Sequence, residues 1–414
     1  MNKLKPEIRF KGFEKHWVKS KYEETFTHLS NNTLSRANLN YNSGFGKNIH
    51  YGDILVKFGE LIDVENEILP FIDSEDIVTK YKKSSLNNGD IIIADAAEDE
   101  TVGKCSEITN IGNEKVISGL HTIPARPIKT FASKYLGYYM NSSAYHNQLL
   151  RLMQGTKVLS ISKSALKDTS IVYPEIQEEQ TQIGNFFQNL DTLIAQHQKK
   201  YDKLLILKKA MLEKMFPKPG KAIPEIRFKG FGGDWEKKEL GDIGSVAMNK
   251  RIFKNQTSEN GEIPFFKIGT FGGVPDAFIS RKLFEEFKDK YPYPKKGDIL
   301  ISASGSIGRT IEYSGKDEYF QDSNIVWLQH NGKIENSFLK YFYSVVKWSG
   351  LEGSTIQRLY NKNILDTLIY VPTLDEQQKI GDYFQNLDKL ISNHQTQLVK
   401  LKNIKKACLE KMFV

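Results

Sequence analysis

The chain repeats itself, and the repeat dictates two similar folding units. Pro6-Glu7-Ile8-Arg9-Phe10-Lys11-Gly12-Phe13, followed by Trp17, returns letter for letter at Pro224 to Phe231, followed by Trp235. Glu179-Gln180, Ile183-Gly184 and Phe187-Gln188-Asn189-Leu190-Asp191 return at Glu376-Gln377, Ile380-Gly381 and Phe384-Gln385-Asn386-Leu387-Asp388. Aligning 178–216 with 375–413 gives 23 identities in 39 positions, while most of the sequence between these anchors is dissimilar. One scaffold in two copies thus carries two different inserts. That arrangement is expected of a molecule that reads two different things at a fixed separation.

The most similar stretches have the pattern of long helices. Counting Ile183 as heptad position a places Ile183, Leu190, His197, Leu204 and Met211 at a, with Phe186, Leu193, Lys200, Leu207 and Lys214 at d. The second copy sets Ile380, Leu387, His394, Leu401 and Cys408 at a, with Tyr383, Leu390, Gln397 and Ile404 at d. Residues at e, such as Phe187 and Ile194, widen the apolar stripe, as in a helix packed against another helix. Neither stretch contains proline and each holds one early glycine, so about 38 residues at 1.5 Å rise predict a rod of roughly 57 Å. Pro174 and Pro372 stand before the starts, and Pro217 stops the first helix. Such length suits a coiled coil; two solitary helices lying on their own domains are the alternative. His197 and His394 share one a position, where a polar residue commonly fixes register. A metal-binding or proton-sensing pair there is the less favoured reading. Antiparallel helices would relate the two copies by an approximate two-fold.

A chain of 414 residues is expected to form two to four domains, and the repeat narrows this to two similar halves, each a globular part followed by a helix. The net charge of +8 and pI near 9.0 favour an anionic partner, nucleic acid first. Met1 to Pro6 contains no apolar signal core, and no apolar run approaches the roughly 18–20 residues of a membrane span. Cys105 and Cys408 form no metal or redox spacing. The expectation is a cytoplasmic protein without membrane contact.

The inserts share a weak skeleton. Pro70-Phe71-Ile72 aligns with Pro264-Phe265-Phe266, and Gly89-Asp90 with Gly297-Asp298, a turn leading into a short buried strand. Val102-Gly103-Lys104 aligns with Ile307-Gly308-Arg309, and Gly155-Thr156-Lys157-Val158 with Gly353-Ser354-Thr355-Ile356. Asp168-Thr169 through Pro174 aligns with Asp366-Thr367 through Pro372. The spacing is uneven: Trp17 to Pro70 covers 53 positions, whereas Trp235 to Pro264 covers 29. Loops absorb such differences, and loops are where binding specificity usually resides.

Signatures of independent catalysis are missing from the sequence. Gly305-Ser306-Ile307-Gly308-Arg309 lacks the Gly-Lys-Ser/Thr ending of a phosphate-binding loop. No dinucleotide fingerprint follows a predicted strand, and no Asn/Asp-Pro-Pro-Tyr/Phe tetrapeptide marks an amino-methyltransferase. Glu98-Asp99-Glu100 with Lys104 faintly resembles a nuclease metal cluster, but the second copy has Ser304-Gly305-Ser306 there, and a solvated acidic loop is the simpler reading. His28, His50, His121, His146 and His330 show no ligand spacing. Neither a metal nor a cofactor is expected.

A tandem of unlike inserts, each followed by a near-identical helix containing Glu-Gln and Ile-Gly-x-Phe/Tyr-Phe-x-x-Leu-Asp, resembles the specificity subunit of type I restriction–modification systems. The resemblance covers essentially the whole chain, and its most specific element is Pro174 through Leu193, matched by Pro372 through Leu390. It implies a mixed α/β (α+β) fold with two target recognition domains, at 1–177 and 217–374. They are separated by two conserved spacer helices, at 178–216 and 375–414, forming an antiparallel coiled coil with a pseudo-two-fold internal repeat. It further implies a non-catalytic subunit that reads a bipartite, asymmetric site on double-stranded DNA. The helices would set the spacing and dock two methyltransferase subunits that carry S-adenosylmethionine. ATP-driven restriction subunits would join that core.

Affinity would come from Lys and Arg neutralising phosphates, and specificity from side chains reaching base edges. The loops that align between halves nominate Lys104, Lys157, Ser160 and Lys163 in the first, and Arg309, Thr355, Gln357, Arg358 and Asn361 in the second. Lys47, Lys82, Lys83, Arg251 and Lys254 are further phosphate candidates in loops that do not align. Two competing readings remain open at this stage. One is a stand-alone nuclease or methyltransferase with a degenerate site; the other is a coiled-coil adaptor whose globular ends bind protein. Apolar helix positions left open by a two-helix coil also predict poor solubility without a partner.

Overall fold

The computed structural model describes residues 4–350 and 358–414. The chain divides into two compact units, one of residues 1–198 with 396–414, the other of residues 199–395. The two long helices span Gln177–Met215 and Leu374–Lys411. Acidic residues occupy their first turns (Glu178 and Glu179, Asp375 and Glu376) and Lys214 and Lys411 their last, the signs that the helix dipole favours. Both helices stop short of the expected 216 and 414. Phe216, Met412 and Phe413 follow the helix ends and are buried in the cores.

Each unit combines the first half of one long helix with the last half of the other. In the first unit Phe187 stacks on Phe413, ring centroids 5.6 Å apart, and Asp191 pairs with Lys405 at 2.6 Å. In the second, Phe384 stacks on Phe216 at 6.2 Å and Asp388 pairs with Lys208 at 2.5 Å. Moving forward along one helix moves backward along the other, so within each unit the two segments run antiparallel. Around these contacts pack Trp17, Tyr135 and Tyr139 in the first unit and Trp235, Phe338 and Tyr341 in the second. Each such side chain is almost fully buried, and large apolar groups contribute about 1.5–3 kcal/mol apiece when removed from water.

The repeated letters form one lock made twice. Arg9 donates from Nε and Nη2 to Glu179 at 2.7 and 2.8 Å; Arg227 does the same to Glu376 at 2.7 and 2.7 Å. Both glutamates are fully buried, which explains why the Pro-Glu-Ile-Arg-Phe and Glu-Gln stretches must recur together. Gln180 donates to the Pro174 carbonyl at 2.7 Å and accepts from Ala132 N at 2.8 Å; Gln377 repeats this with Pro372 and Glu335 at 2.8 and 2.9 Å. Tyr138 donates to Asp191 at 2.7 Å and Tyr341 to Asp388 at 2.8 Å. The early helical glycines mark close approach. A Cβ on Gly381 would lie 2.1 Å from Ser337 Oγ, and one on Gly184 3.2 Å from Lys134 Cβ.

Each unit carries an antiparallel sheet of the same strand order around a buried central strand. In the first it runs Phe26–His28, Thr122–Pro127, Ile91–Ala94, Cys105–Thr109, with Leu61–Asp63 added in parallel at the edge. In the second it runs Ser245–Met248, Ile325–Gln329, Ile299–Ser302, Thr310–Glu312. The Gly-Asp turns open the central strands as expected: Gly89 and Gly297 have φ of 87° and 93°, and the strands Ile91–Ala94 and Ile299–Ser302 are buried at every position.

The alignment of Pro70-Phe71-Ile72 with Pro264-Phe265-Phe266 fails. Strand Ile263–Phe266 pairs in parallel with Tyr319–Phe320, and the strand holding that place in the first unit is Gly46–Ile49, parallel to Val116–Ser118. Phe71–Ile72 pairs antiparallel with Gly46–Ile49 on its other side, as Phe278–Ile279 does with Ile263–Phe266. Each of those outer strands leads to a helix capped by a serine, Ser74 or Ser280. The uneven spacing from the tryptophans was an artefact of that mismatch. Gly46 lies 29 positions after Trp17, and Ile263 lies 28 after Trp235. A proline followed by two apolar residues is too common a way to start a strand to identify one.

Candidate nucleic-acid interface

In both units the end of the central strand is finished by the same three backbone hydrogen bonds. Gly103 N donates to Ala94 O at 2.9 Å, Asp95 N to His121 O at 3.1 Å and Ile161 N to Asp95 O at 2.9 Å. Their counterparts are Gly308 N to Ser302 O at 3.0 Å, Ala303 N to Asn324 O at 2.7 Å and Leu359 N to Ala303 O at 2.8 Å. Gly103 and Gly308 both hold positive φ, 85° and 78°, so the turn carries glycine in each copy. These bonds match residues position by position. Ser160 stands where Arg358 does, Lys163 where Asn361 does, Lys104 where Arg309 does, Asp95 where Ala303 does, and His121 where Asn324 does. One backbone frame therefore presents two unlike sets of side chains.

The first unit surrounds this frame with polar and aromatic groups. His121 Nδ1 lies 3.1 Å from Asp95 Oδ1, and Tyr51 meets the His121 ring edge-on with centroids 5.2 Å apart. Beside Tyr51, His50 accepts from Gly52 N at 3.2 Å, and Arg36 donates to Asp53 at 2.9 Å. Burial holds the His50 imidazole below its usual pKa, and nearby Arg36 adds to that. His28 is depressed likewise, by burial first and then by Lys163. With Nδ1 accepting from Gly52 N, the neutral His50 ring keeps an Nε2–H donor. Lys163 reaches the Leu29 carbonyl at 3.3 Å, Ser160 is exposed on the short strand Leu159–Ser160, and Lys157 is exposed in the preceding loop.

Lys104 is not brought to this group. Its Nζ donates to the carbonyls of Leu55 and Phe58 at 3.0 and 2.9 Å, closing the end of the helix Tyr51–Val56. Burial lowers its pKa, opposed by Glu60. Glu98 to Glu100 form an exposed turn in which Asp99 accepts from Thr101 N at 2.9 Å.

The second unit is richer in guanidinium. Arg358 donates through Nη2 to Ser323 O at 3.2 Å and to Ser323 Oγ at 3.0 Å, and its guanidinium lies 6.0 Å from the Tyr360 ring. Arg309 is exposed, with Nη2 3.4 Å from Gly272 O. Arg251 faces Asp322 at 3.8 Å, and Ser304 Oγ donates to Asn324 at 2.8 Å. Asn361 opens the helix Asn361–Leu365 and is exposed. Thr355 and Gln357 lie outside the described residues. Lys82, Lys83 and Lys254 are exposed, whereas Lys47 pairs with Glu114 at 3.1 Å.

Asp95, His121, Tyr51 and Arg36, with Ser304 and Asn324 in the second unit, were not anticipated. Asp95 and Ser304 follow the strands that the Gly-Asp turns open, so counting past those strands would have reached them. His121 and Asn324 precede strands that carry no repeated letters. Among the described residues no group of three or more His, Cys, Asp or Glu is placed to hold a metal ion, and no helix is long and apolar enough to cross a membrane.

Comparison with known proteins is concordant. The profile of the type I restriction modification DNA specificity domain matches twice, at residues 14–205 and 232–403. A putative type I restriction enzyme specificity subunit of Haemophilus influenzae is 54% identical over 156 residues, which span 37% of this chain and 40% of that protein. The putative type I restriction enzyme MjaX specificity subunit of Methanocaldococcus jannaschii is 26% identical over 357 residues, 81% of this chain and 79% of the relative. The crystal structure of a type I restriction–modification S subunit from M. genitalium superposes with a TM-score of 0.61 at 16% identity, covering 99% of each chain. That likeness establishes the shared fold.

Proposed function

The chain belongs to the type I restriction modification DNA specificity family, and from that membership we propose that it reads a bipartite, asymmetric sequence on double-stranded DNA. Residues 1–177 and 217–374 act as the two recognition domains, one per half-site. The helices at 178–216 and 375–414 set the gap between half-sites and dock two methyltransferase subunits, with restriction subunits joining that core in the cytoplasm. The chain itself performs no chemistry. One observation carries the reading: matched backbone hydrogen bonds present Ser160, Lys163, Asp95 and His121 in one unit and Arg358, Asn361, Ala303 and Asn324 in the other. Unlike side chains on a common frame are what two unlike half-sites require, because bases are told apart by the donors and acceptors on their edges.

Lys157 and Arg309, with exposed Lys82, Lys83 and Lys254, serve as phosphate contacts that raise affinity at any sequence. The test is to co-express the chain with its cognate methyltransferase subunit and map methylated adenines across the host genome. A split motif of two unlike half-sites with a constant gap is the expected result. Methylation that is absent, or that is unchanged when the two inserts are replaced, would remove the specificity role and favour an adaptor that binds protein.

A further inference from the structure

We infer that Arg358 is the guanine-reading residue of the second unit, so that its half-site contains a guanine whose recognition depends on this side chain. The inference rests on the DNA-reading role proposed above and assigns one of its contacts. Of the five arginines in the described part of this unit, Arg227 is locked to Glu376, and Arg281 pairs with Glu262 and Asp317. Arg251 faces the Asp322 carboxylate. Arg309 is exposed, with one long contact to a carbonyl, as suits a phosphate contact. Arg358 differs from all four. It is half-buried, held through one nitrogen by both oxygens of Ser323, and flanked by Tyr360, which is 64% exposed.

That geometry pre-orients the guanidinium. It has five N–H groups in a fixed plane, and the two contacts to Ser323 are both made through Nη2, which fixes that plane and leaves the N–H groups of Nη1 and Nε for a ligand. Ser323 sits at a φ of 53°, an uncommon conformation for a non-glycine residue, between Asp322 and Asn324 in the turn that faces the 303–304 segment. A rotamer fixed before binding loses less entropy on contact. N–H donors held in one plane match the paired O6 and N7 acceptors of guanine, and no other base edge offers two such acceptors side by side in the major groove. The first unit has Ser160 at this position, too short for the same contact, so this position makes no equivalent demand there.

The test uses the chain assembled with its methyltransferase subunits to select bound duplexes from a randomised library, comparing wild type with Arg358→Lys, Arg358→Gln and, as a phosphate control, Arg309→Ala. Wild type should enrich a motif with a guanine in one half-site. Arg358→Lys and Arg358→Gln should lose about tenfold to a hundredfold of the discrimination at that base alone, with the other half-site unchanged. Arg309→Ala should weaken all sequences together. Thermal unfolding of Arg358→Lys at the wild-type temperature establishes that the fold is retained. An Arg358→Gln complex that binds more weakly but enriches the wild-type motif overturns the inference and makes Arg358 a phosphate contact. A wild-type complex with no sequence preference overturns the DNA-reading role itself, and the two failures are told apart by the wild-type selection.

Discussion

Replacing Glu179 by glutamine tests whether the repeated letters are a structural lock. The wild-type carboxylate is fully buried and accepts two bonds from Arg9 and a third from Trp17 Nε1, at 3.2 Å. Glutamine keeps the shape but removes the charge, leaving the Arg9 guanidinium, 7% exposed, without its counter-ion. Breaking one side of a buried pair costs about 3–5 kcal/mol. The second unit is an internal control. Glu376 makes the same fork with Arg227, but the buried Trp235 Nε1 has no partner among the described residues. Glu376→Gln should therefore cost about 1 kcal/mol less, the net value of one hydrogen bond. Peptide-resolved hydrogen exchange reads each unit separately. Amides of 183–190 should exchange roughly a hundredfold or more faster in Glu179→Gln, and amides of 380–387 should respond to Glu376→Gln instead. Because the pairs are buried, added salt should change little. An effect below about 1 kcal/mol at both sites would refute the lock, as would equal effects of either substitution on both units.

Lys104→Ala should destabilise the first unit by about 1–2 kcal/mol, since it strips the carbonyls of Leu55 and Phe58 of their donor. The exposed Lys157→Ala should leave the urea midpoint unchanged and lower the salt dependence of DNA binding by about one counter-ion. Burial lifts the Glu107 carboxyl from 4.5 to about 7, against the opposing backbone N–H groups of Gly137 and Lys134. With the folded value above the unfolded one, the stability Glu107 confers is complete below about pH 4.5 and lost as pH rises through 7. The difference in stability between wild type and Glu107→Gln should therefore shrink by about 3 kcal/mol over that window, and a difference that grows with pH would refute the assignment. Ile206→Lys and Val399→Lys, at positions 70% and 56% exposed on the long helices, should abolish co-purification of a methyltransferase subunit without shifting the melting temperature.

The scaffold was legible in the sequence because its parts had to be written twice. The Arg9–Glu179 and Arg227–Glu376 forks, the Gln180 and Gln377 caps and the Tyr–Asp bonds each need a particular side chain at a particular place, so identity survives there. The helix pattern was equally open, since an apolar stripe shows its period directly. The helix ends were not: Phe216 and Phe413 continue the stripe, yet follow the helix ends and are buried in the cores. The inserts were harder still. Gly46–Ile49 and Ile263–Phe266 hold the same place with no shared letters, since pairing through backbone atoms sets no demand on side chains. Lys104 was nominated from its alignment with Arg309, but a lysine can snorkel toward any nearby carbonyl, and only the fold shows that Leu55 and Phe58 are within reach.

This division of labour lets the two copies of one scaffold carry unlike side chains on the same frame. In each unit the side-chain locks lie where the recognition domain meets the long helices, whereas the frame around positions 95, 121 and 161, and around 303, 324 and 359, is closed by backbone atoms. Side chains at 160, 163, 358 and 361 can therefore change without breaking the bonds that place them. Exchanging Ser160 and Arg358 follows as the strictest trial of that independence. Each residue would enter a backbone position already built for its counterpart, so stability should hold to within about 0.5–1 kcal/mol while the guanine requirement leaves the second half-site. Its appearance in the first half-site would require a brace there comparable to Ser323. Leu120, the residue matched to Ser323, has no side-chain oxygen, which makes loss without transfer the expected result. A double exchange that unfolds the protein would show the frame to depend on its side chains after all.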